Sequence, residues 1–204
     1  MKKRLPLIIT IVSTLIVVLT TIFIHSTGVS LFDSWFYKET IEKMSPSLTL
    51  TMIFITESGS LMAIIILCLS FFLFKETRKH WAFPVGITVV ASSVSNVLLK
   101  SMFARERPNI LRLVDESSYS FPSGHAMINM AFYTMILLLT WRYIKNNRLK
   151  YGISFVCVVM PLLIGLSRIY LGVHYATDVI SGWLLGLTIS IIIFCVFIKK
   201  SSEV

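Results

Sequence analysis

Apolar residues fall into six long runs along this chain, near residues 6–24, 48–74, 82–99, 124–144, 152–171 and 175–198. Each reaches the roughly 17–25 residues that an α-helix needs to cross a bilayer. The pattern predicts an all-α fold, a polytopic membrane protein with six transmembrane helices. A short interfacial helix is predicted after the first span, over 29–44. There Leu31, Phe32, Trp35 and Phe36 share one helical face, while Asp33, Lys38, Glu39 and Glu42 fall largely elsewhere. Aromatic residues on such a face suit headgroup depth. The third run carries Ser92, Ser93, Ser95 and Asn96, so that face is expected to look into the bundle. Glu57, beside Ser58-Gly59-Ser60, is an acid inside an apolar run. It reads either as a functional group or as a solvated residue at the outer end of a long helix. Pro161 and Gly165 could kink the fifth run.

Composition narrows the class. With 204 residues, 55% hydrophobic and 14% charged, the chain has no room for a second folded domain beside six spans. Residues 1–204 are therefore expected to form one integral-membrane domain. Lys2, Lys3 and Arg4 before the first run could open a secretory signal, but Ile24-His25-Ser26-Thr27-Gly28 lacks a small-x-small cleavage pattern. An uncleaved first helix is expected. Threading six spans leaves twelve of the 19 Lys and Arg on the side of the termini and seven on the other. The positive-inside bias then predicts cytoplasmic N- and C-termini. Topology and anionic lipid account for the net charge of +9. No basic run is interleaved with stacking aromatics, so nucleic acid is not an expected partner. Cys68, Cys157 and Cys195 all sit inside apolar runs and read as packing residues, without disulfide or metal-ligand spacing.

Three polar patches interrupt this pattern: Lys100 to Pro108, Pro122 to His125, and Ser167 to Asp178. The threading brings all three to the same, outer face. Their chemistry agrees. Lys100 offers a point charge and Arg107 and Arg168 offer planar forks, donors suited to a phosphoryl group. Ser123 precedes a helix, where it can cap while backbone N–H groups favour an anion. His174 and Asp178, four apart, share a helical face if a helix starts near Val173. A carboxylate on one imidazole nitrogen leaves the other aimed outward as nucleophile or base. His174 and Asp178 alone could be a polar pair capping a membrane helix. Three cationic and imidazole patches on one face are not explained that way. His125 supplies a second imidazole. Phosphate monoesters hydrolyse so slowly unaided that enzymes supply up to roughly 10²¹-fold, and charge neutralisation with a covalent intermediate is a sensible route.

Lys100-x6-Arg107-Pro108, Pro122-Ser123-Gly124-His125 and Ser167-Arg168-x5-His174-x3-Asp178 resemble the three signature motifs of the type-2 phosphatidic acid phosphatase superfamily, in particular its six-span bacterial membrane branch. The resemblance implies catalytic roles for His174, His125 and Asp178. His174 would attack phosphorus and form a phosphohistidine, Asp178 would hold its ring, and His125 would protonate the leaving oxygen and then activate water. Lys100, Arg107, Ser123, Gly124 and Arg168 would bind the phosphate. It implies no cofactor and no metal. The soluble acid phosphatases and vanadate-dependent haloperoxidases of the superfamily lack six apolar spans, so a lipid phosphate arriving from the bilayer is the expected substrate, with membrane lipids around it and no protein partner required. Phosphatidylglycerophosphate is favoured and undecaprenyl diphosphate is the alternative, with phosphatidic acid also open. A lipid-phosphate transporter would use the anion-binding residues but leave both histidines and Asp178 idle. The expected location is a bacterial cell membrane, with the active site facing outside. Continuing by fours from His174 and Asp178 reaches Gly182 and Gly186, which predicts a neighbouring span packed closely against the catalytic face.

Overall fold

The computed structural model describes residues 4–27, 29–109 and 111–201. Lys2 and Lys3 lie outside the described residues. The described elements are α1 (Arg4–Thr27), α2 (Leu31–Glu42), α3 (Pro46–Ser58), α4 (Leu61–Leu73), α5 (Lys75–Thr77), a π-helical turn Arg78–Ala82, α6 (Phe83–Phe103), α7 (Gly124–Tyr143), α8 (Asn147–Tyr170) and α9 (Ala176–Ser201). Five helices are individually long and apolar enough to cross a bilayer, and α3 with α4 makes a sixth if the pair, bent by 44°, is one span. The all-α, six-span expectation therefore holds, with one correction. The second apolar run is not a straight helix.

The break has a local cause. Gly59 ends α3, and the Ser60 side chain caps α4 by accepting from the Ala63 N–H at 3.3 Å. Asn129 of α7 donates to the Gly59 carbonyl at 2.7 Å, which satisfies an acceptor freed by the break. A Cβ on Gly59 would come within 2.7 Å of Ile164 on α8. Glu57 is exposed one turn away, while its neighbour Thr56 is buried. Polar caps also start the other elements. Ser30 accepts from the Asp33 N–H in α2, Ser45 from the Leu48 N–H in α3, and Asn146 from the Leu149 N–H in α8. Pro161 lies inside α8, which nonetheless runs unbroken from Asn147 to Tyr170. Gly165 is explained by Trp183 of α9, whose ring lies where a Cβ would stand and whose Nε1 donates to the Pro161 carbonyl at 3.0 Å.

Helix α7 is the central element, packed against α9, α8, α6 and α4. Ile64, Val85, Phe132, Met135, Leu139 and Ile164 form the main core between α4, α6, α7 and α8. Outward-facing Ile11, Leu15, Leu19 and Ile22 on α1, and Val90, Val94 and Val97 on α6, stay exposed. Hydrocarbon is the solvent that suits them. Cys68 and Cys157 are buried, whereas Cys195 is exposed on α9.

The close approach expected at the glycine face is present, and the neighbour is α7. A Cβ on Gly182 would meet the Ser123 carbonyl at 2.8 Å and Ala126 Cβ at 3.1 Å, and one on Gly186 would meet the Ala131 N at 2.9 Å. Ser190 Oγ donates to the Ala131 carbonyl at 2.6 Å and fixes the sliding register of the pair. Helix α2 is the short helix expected after the first span, with one of its acids buried. Asp33 does not face solvent; it is 1% exposed and seated against the start of α9.

Candidate active site

The C-terminal ends of α6 and α8 and the N-terminal ends of α7 and α9 meet at one end of the bundle. Asn96 of α6 donates to the Pro122 carbonyl at 3.1 Å, and the Ser123 N–H donates to the Asp178 carbonyl at 3.1 Å. Between these ends lies a cavity of about 160 Å³ lined by Lys100, Arg107, Gly124, His125 and His174, together with Asn96, Glu116 and Ser118. Ser123, Arg168 and Asp178 are buried and do not line it. A larger cavity of about 440 Å³ opens beside α1, Phe103, Phe121 and Tyr175 and touches Arg105 and Arg107, but neither histidine. The smaller cavity is therefore the one that brings both histidines together with Lys100 and Arg107.

His174 sits on the short turn between α8 and α9. Gly172, at φ +70°, turns the chain there in a conformation that disfavours side chains, with the Leu111 backbone where a Cβ would project. Arg107 Nη1 donates to the Val173 carbonyl at 2.8 Å and stands 3.2 Å from His174 Nε2. A guanidinium only donates, so Nε2 presents its lone pair and the neutral ring carries its proton on Nδ1. That proton faces Ser120 Oγ at 3.3 Å, and Ser120 Oγ donates in turn to Asp178 Oδ2 at 2.5 Å. Nδ1 and Asp178 Oδ2 are 3.6 Å apart, so the carboxylate acts on the ring largely through Ser120. Asp178 Oδ2 also accepts from the Tyr175 N–H at 2.9 Å. Burial pushes the His174 imidazole down to about 3, with Arg107 and Arg168 adding to the shift and Asp178 opposing it. The ring is thus neutral, with its lone pair on the cavity side.

The anion donors are less free than the spacing suggests. Lys100 Nζ donates to the Tyr119 carbonyl. Arg107 is also tied to the Ser118 carbonyl at 2.6 Å and the Ser118 Oγ at 3.1 Å. Arg168 donates to Thr56 Oγ1 at 2.9 Å and to the Glu116 carboxylate, whose second oxygen is 3.7 Å from Arg107. Glu116 thereby bridges two cations in the wall of the cavity. The cap expected from Ser123 is absent. Ser123 stands at the N-cap position of α7 without a side-chain cap bond, and its buried Oγ has no partner among the described residues. Its amide is spent on α9 rather than held for a ligand. Buried hydroxyls are normally paired, and Ser123 Oγ, like the Nε of Arg168, keeps an unused hydrogen-bonding position just behind the cavity lining. Gly124 is closely packed: a Cβ would stand 3.0 Å from Asn96 Oδ1 and would have to push that amide aside.

Several residues here were not singled out from the sequence. Ser120 and Glu116 belong to the irregular stretch after Arg107, where serines and acids are unremarkable. Asn96 was readable only as part of a polar face. Arg105 occupies an unspecified position within Lys100-x6-Arg107, and Asp33 comes from α2, outside all three motifs; they reach Asp178 and Thr177. Tertiary contact alone brings these groups together.

The PAP2 superfamily pattern matches residues 81–202. Phosphatidylglycerophosphatase B of Bacillus subtilis is 34% identical over 173 residues, covering 80% of this chain and 82% of that protein. An undecaprenyl-diphosphatase of Sulfolobus acidocaldarius is 37% identical over 131 residues, covering 58% of this chain and 55% of that one. The crystal structure of a transmembrane PAP2-type phosphatidylglycerolphosphate phosphatase from Bacillus subtilis superposes with a TM-score of 0.83 at 29% identity, covering 93% of this chain and 96% of that one.

Proposed function

This chain belongs to the PAP2 superfamily and is a lipid phosphatase of the membrane, and we propose that it hydrolyses phosphatidylglycerophosphate to phosphatidylglycerol and phosphate through a phosphohistidine at His174. The observation that carries the mechanism is the orientation of His174, with the Nε2 lone pair beside Arg107 and Nδ1 turned to Ser120 and Asp178. In the first step the Nε2 pair attacks phosphorus and the bond to the lipid oxygen breaks. The departing oxygen keeps that electron pair and takes a proton from His125, which enters the step as an imidazolium beside the bound phosphate and leaves it neutral. The ring becomes cationic, and Asp178 stabilises it through Ser120. In the second step His125 removes a proton from water, the new hydroxyl oxygen bonds phosphorus, and the N–P bond breaks. Phosphate leaves and His174 is again neutral. Lys100, Arg107, Arg168, Ser123 Oγ and the backbone at Gly124 hold the non-bridging oxygens. These donors neutralise charge without a metal ion.

The choice of lipid rests on the length of the match. The phosphatidylglycerophosphatase relative aligns over 82% of its own length, and two undecaprenyl-diphosphatases over 55% and 72%. Undecaprenyl diphosphate remains the second reading, favoured by the higher local identity of 37%. The termini are proposed to be cytoplasmic and the cavity to open outside, as the asymmetry of Lys and Arg supports.

The test is kinetic. Purified protein in mixed micelles should release phosphate from phosphatidylglycerophosphate with a higher kcat/KM than from undecaprenyl diphosphate or phosphatidic acid. The rate should survive EDTA and be inhibited by vanadate. His174→Ala should abolish turnover and remove the label left on the protein by ³²P-substrate. More than a few per cent of residual turnover in that variant sinks the nucleophile assignment, and loss in EDTA restored by magnesium sinks the metal-free one.

A further inference from the structure

We propose that Asp33 and Arg105 are positioning residues for this reaction, acting on His174 through Asp178; the inference rests on the phosphohistidine reading above. Asp33 is an acid on a helix otherwise suited to the membrane surface, yet its side chain is fully buried. Its Oδ1 accepts from the Thr177 N–H at 2.9 Å, and its Oδ2 from Thr177 Oγ1 at 2.8 Å. A carboxylate from a distant helix thus caps the Thr177 N–H at the start of α9, one residue before Asp178. Arg105 joins the two acids. Its Nη2 stands 3.0 Å from Asp33 Oδ2, and its Nη1 donates to Asp178 Oδ1 at 2.5 Å and to Thr177 Oγ1 at 2.9 Å. The guanidinium lies 4.1 Å from the centroid of the Tyr175 ring. It is held in plane by that face and by two carboxylates.

The consequence is that Asp178 has no rotational freedom. Oδ1 is taken by Arg105, and Oδ2 by Ser120 and the Tyr175 N–H. Only in that orientation does Oδ2 address Ser120, which faces His174 Nδ1. A buried anion that lost its cation would lose charge compensation and direction together. Neither Asp33 nor Arg105 lines the cavity with the two histidines. Both Nη atoms of Arg105 are engaged by Asp33, Thr177 and Asp178, so the contribution of the pair belongs to turnover and not to phosphate binding. Asp33 also ties α2, the element placed at the bilayer surface, to the nucleophile.

The experiment uses full-length protein in mixed micelles, with active sites counted by the burst of lipid product. Arg105→Met should lower kcat per active site about 10²-fold while KM and the vanadate Ki move less than about threefold. Arg105→Lys, which keeps the charge, should recover at least about a tenth of the wild-type kcat. Asp33→Asn, nearly isosteric and still able to accept from the Thr177 N–H, should lower kcat about tenfold. The double variant Asp33→Asn/Arg105→Met should be no slower than Arg105→Met, because both act along one chain of contacts. Unchanged kcat per active site overturns the proposal. So does a parallel rise in KM and Ki, which would make Arg105 a phosphate ligand. A fall in the fraction of active sites and in melting temperature at constant kcat also overturns it, since the pair would then be structural only. His174→Ala run beside these keeps the two readings apart. Activity in that variant removes the phosphohistidine, whereas an inactive His174→Ala with a full-rate Arg105→Met removes only the positioning role.

Discussion

Glu116 holds Arg168 and approaches Arg107, the two forks expected to grip a phosphoryl group. A carboxylate placed between two guanidinium groups resembles the anion that should replace it. Phosphate entry therefore requires Glu116 to yield, and its partly exposed side chain leaves room to swing away. Glu116→Gln should lower the vanadate Ki about tenfold, equivalent to about 1.4 kcal/mol. A higher Ki would mean instead that Glu116 organises the arginines. His174 gives a second expectation. Its folded value is lowered to about 3 from an ordinary value of 6.5, so between those limits the unfolded chain binds the extra proton. Stability then rises with pH across this window and falls as pH drops through it, by on the order of 2 kcal/mol between pH 7 and pH 5. His174→Gln should melt with a smaller acid shift over that range than wild type, and equal shifts would show the ring is not held neutral. At this scale the motifs were readable because phosphate chemistry needs particular side chains at fixed intervals. Ser120 and Glu116 were not, since a hydroxyl or an acid in a loop carries no periodic signature.

The six apolar runs were legible because a helix in hydrocarbon must satisfy its backbone internally and cover itself with apolar groups. The bend at Gly59 was not, because it depends on Asn129 reaching across from α7. Asp33 was readable only as lying off the aromatic face, for a related reason: helical periodicity reports which face a residue occupies, not what covers that face. The glycine face of α9 was readable, and it yields a prediction proper to the element. Gly182 packs against the Ser123 carbonyl and Ala126, which flank His125 in the chain. Gly182→Leu must push α9 away from α7 and separate the two histidines, so kcat should fall on the order of 10²-fold without any contact with substrate. Gly152→Leu, at a position with nothing within 4 Å of the added Cβ, serves as the matched control and should keep wild-type turnover. Equal rates for the two variants would detach the helix contact from catalysis.

At the scale of the whole molecule, the bundle has two chemically different ends. One gathers Lys100, Arg107 and Arg168 around a cavity, where substrate charge is the counterpart of the protein's cations. The other carries the basic connections around Lys75 to Lys79 and Lys145 to Lys150, where no carboxylate cluster balances them. Basic loops remain on the cytoplasmic side during insertion and are held there by anionic lipid. In the proposed orientation the cavity end is external, and the lipid phosphate is presented in the outer leaflet. Natural cysteines do not interfere with a direct test, since Cys68 and Cys157 are buried and Cys195 sits on the apolar flank of α9. Ser117→Cys, exposed in the loop above the cavity, should react with a membrane-impermeant maleimide in intact cells. Lys145→Cys, exposed between α7 and α8, should react only after the membrane is opened. The reverse labelling pattern would turn the site to the cytoplasm and leave the protein acting on newly made lipid of the inner leaflet.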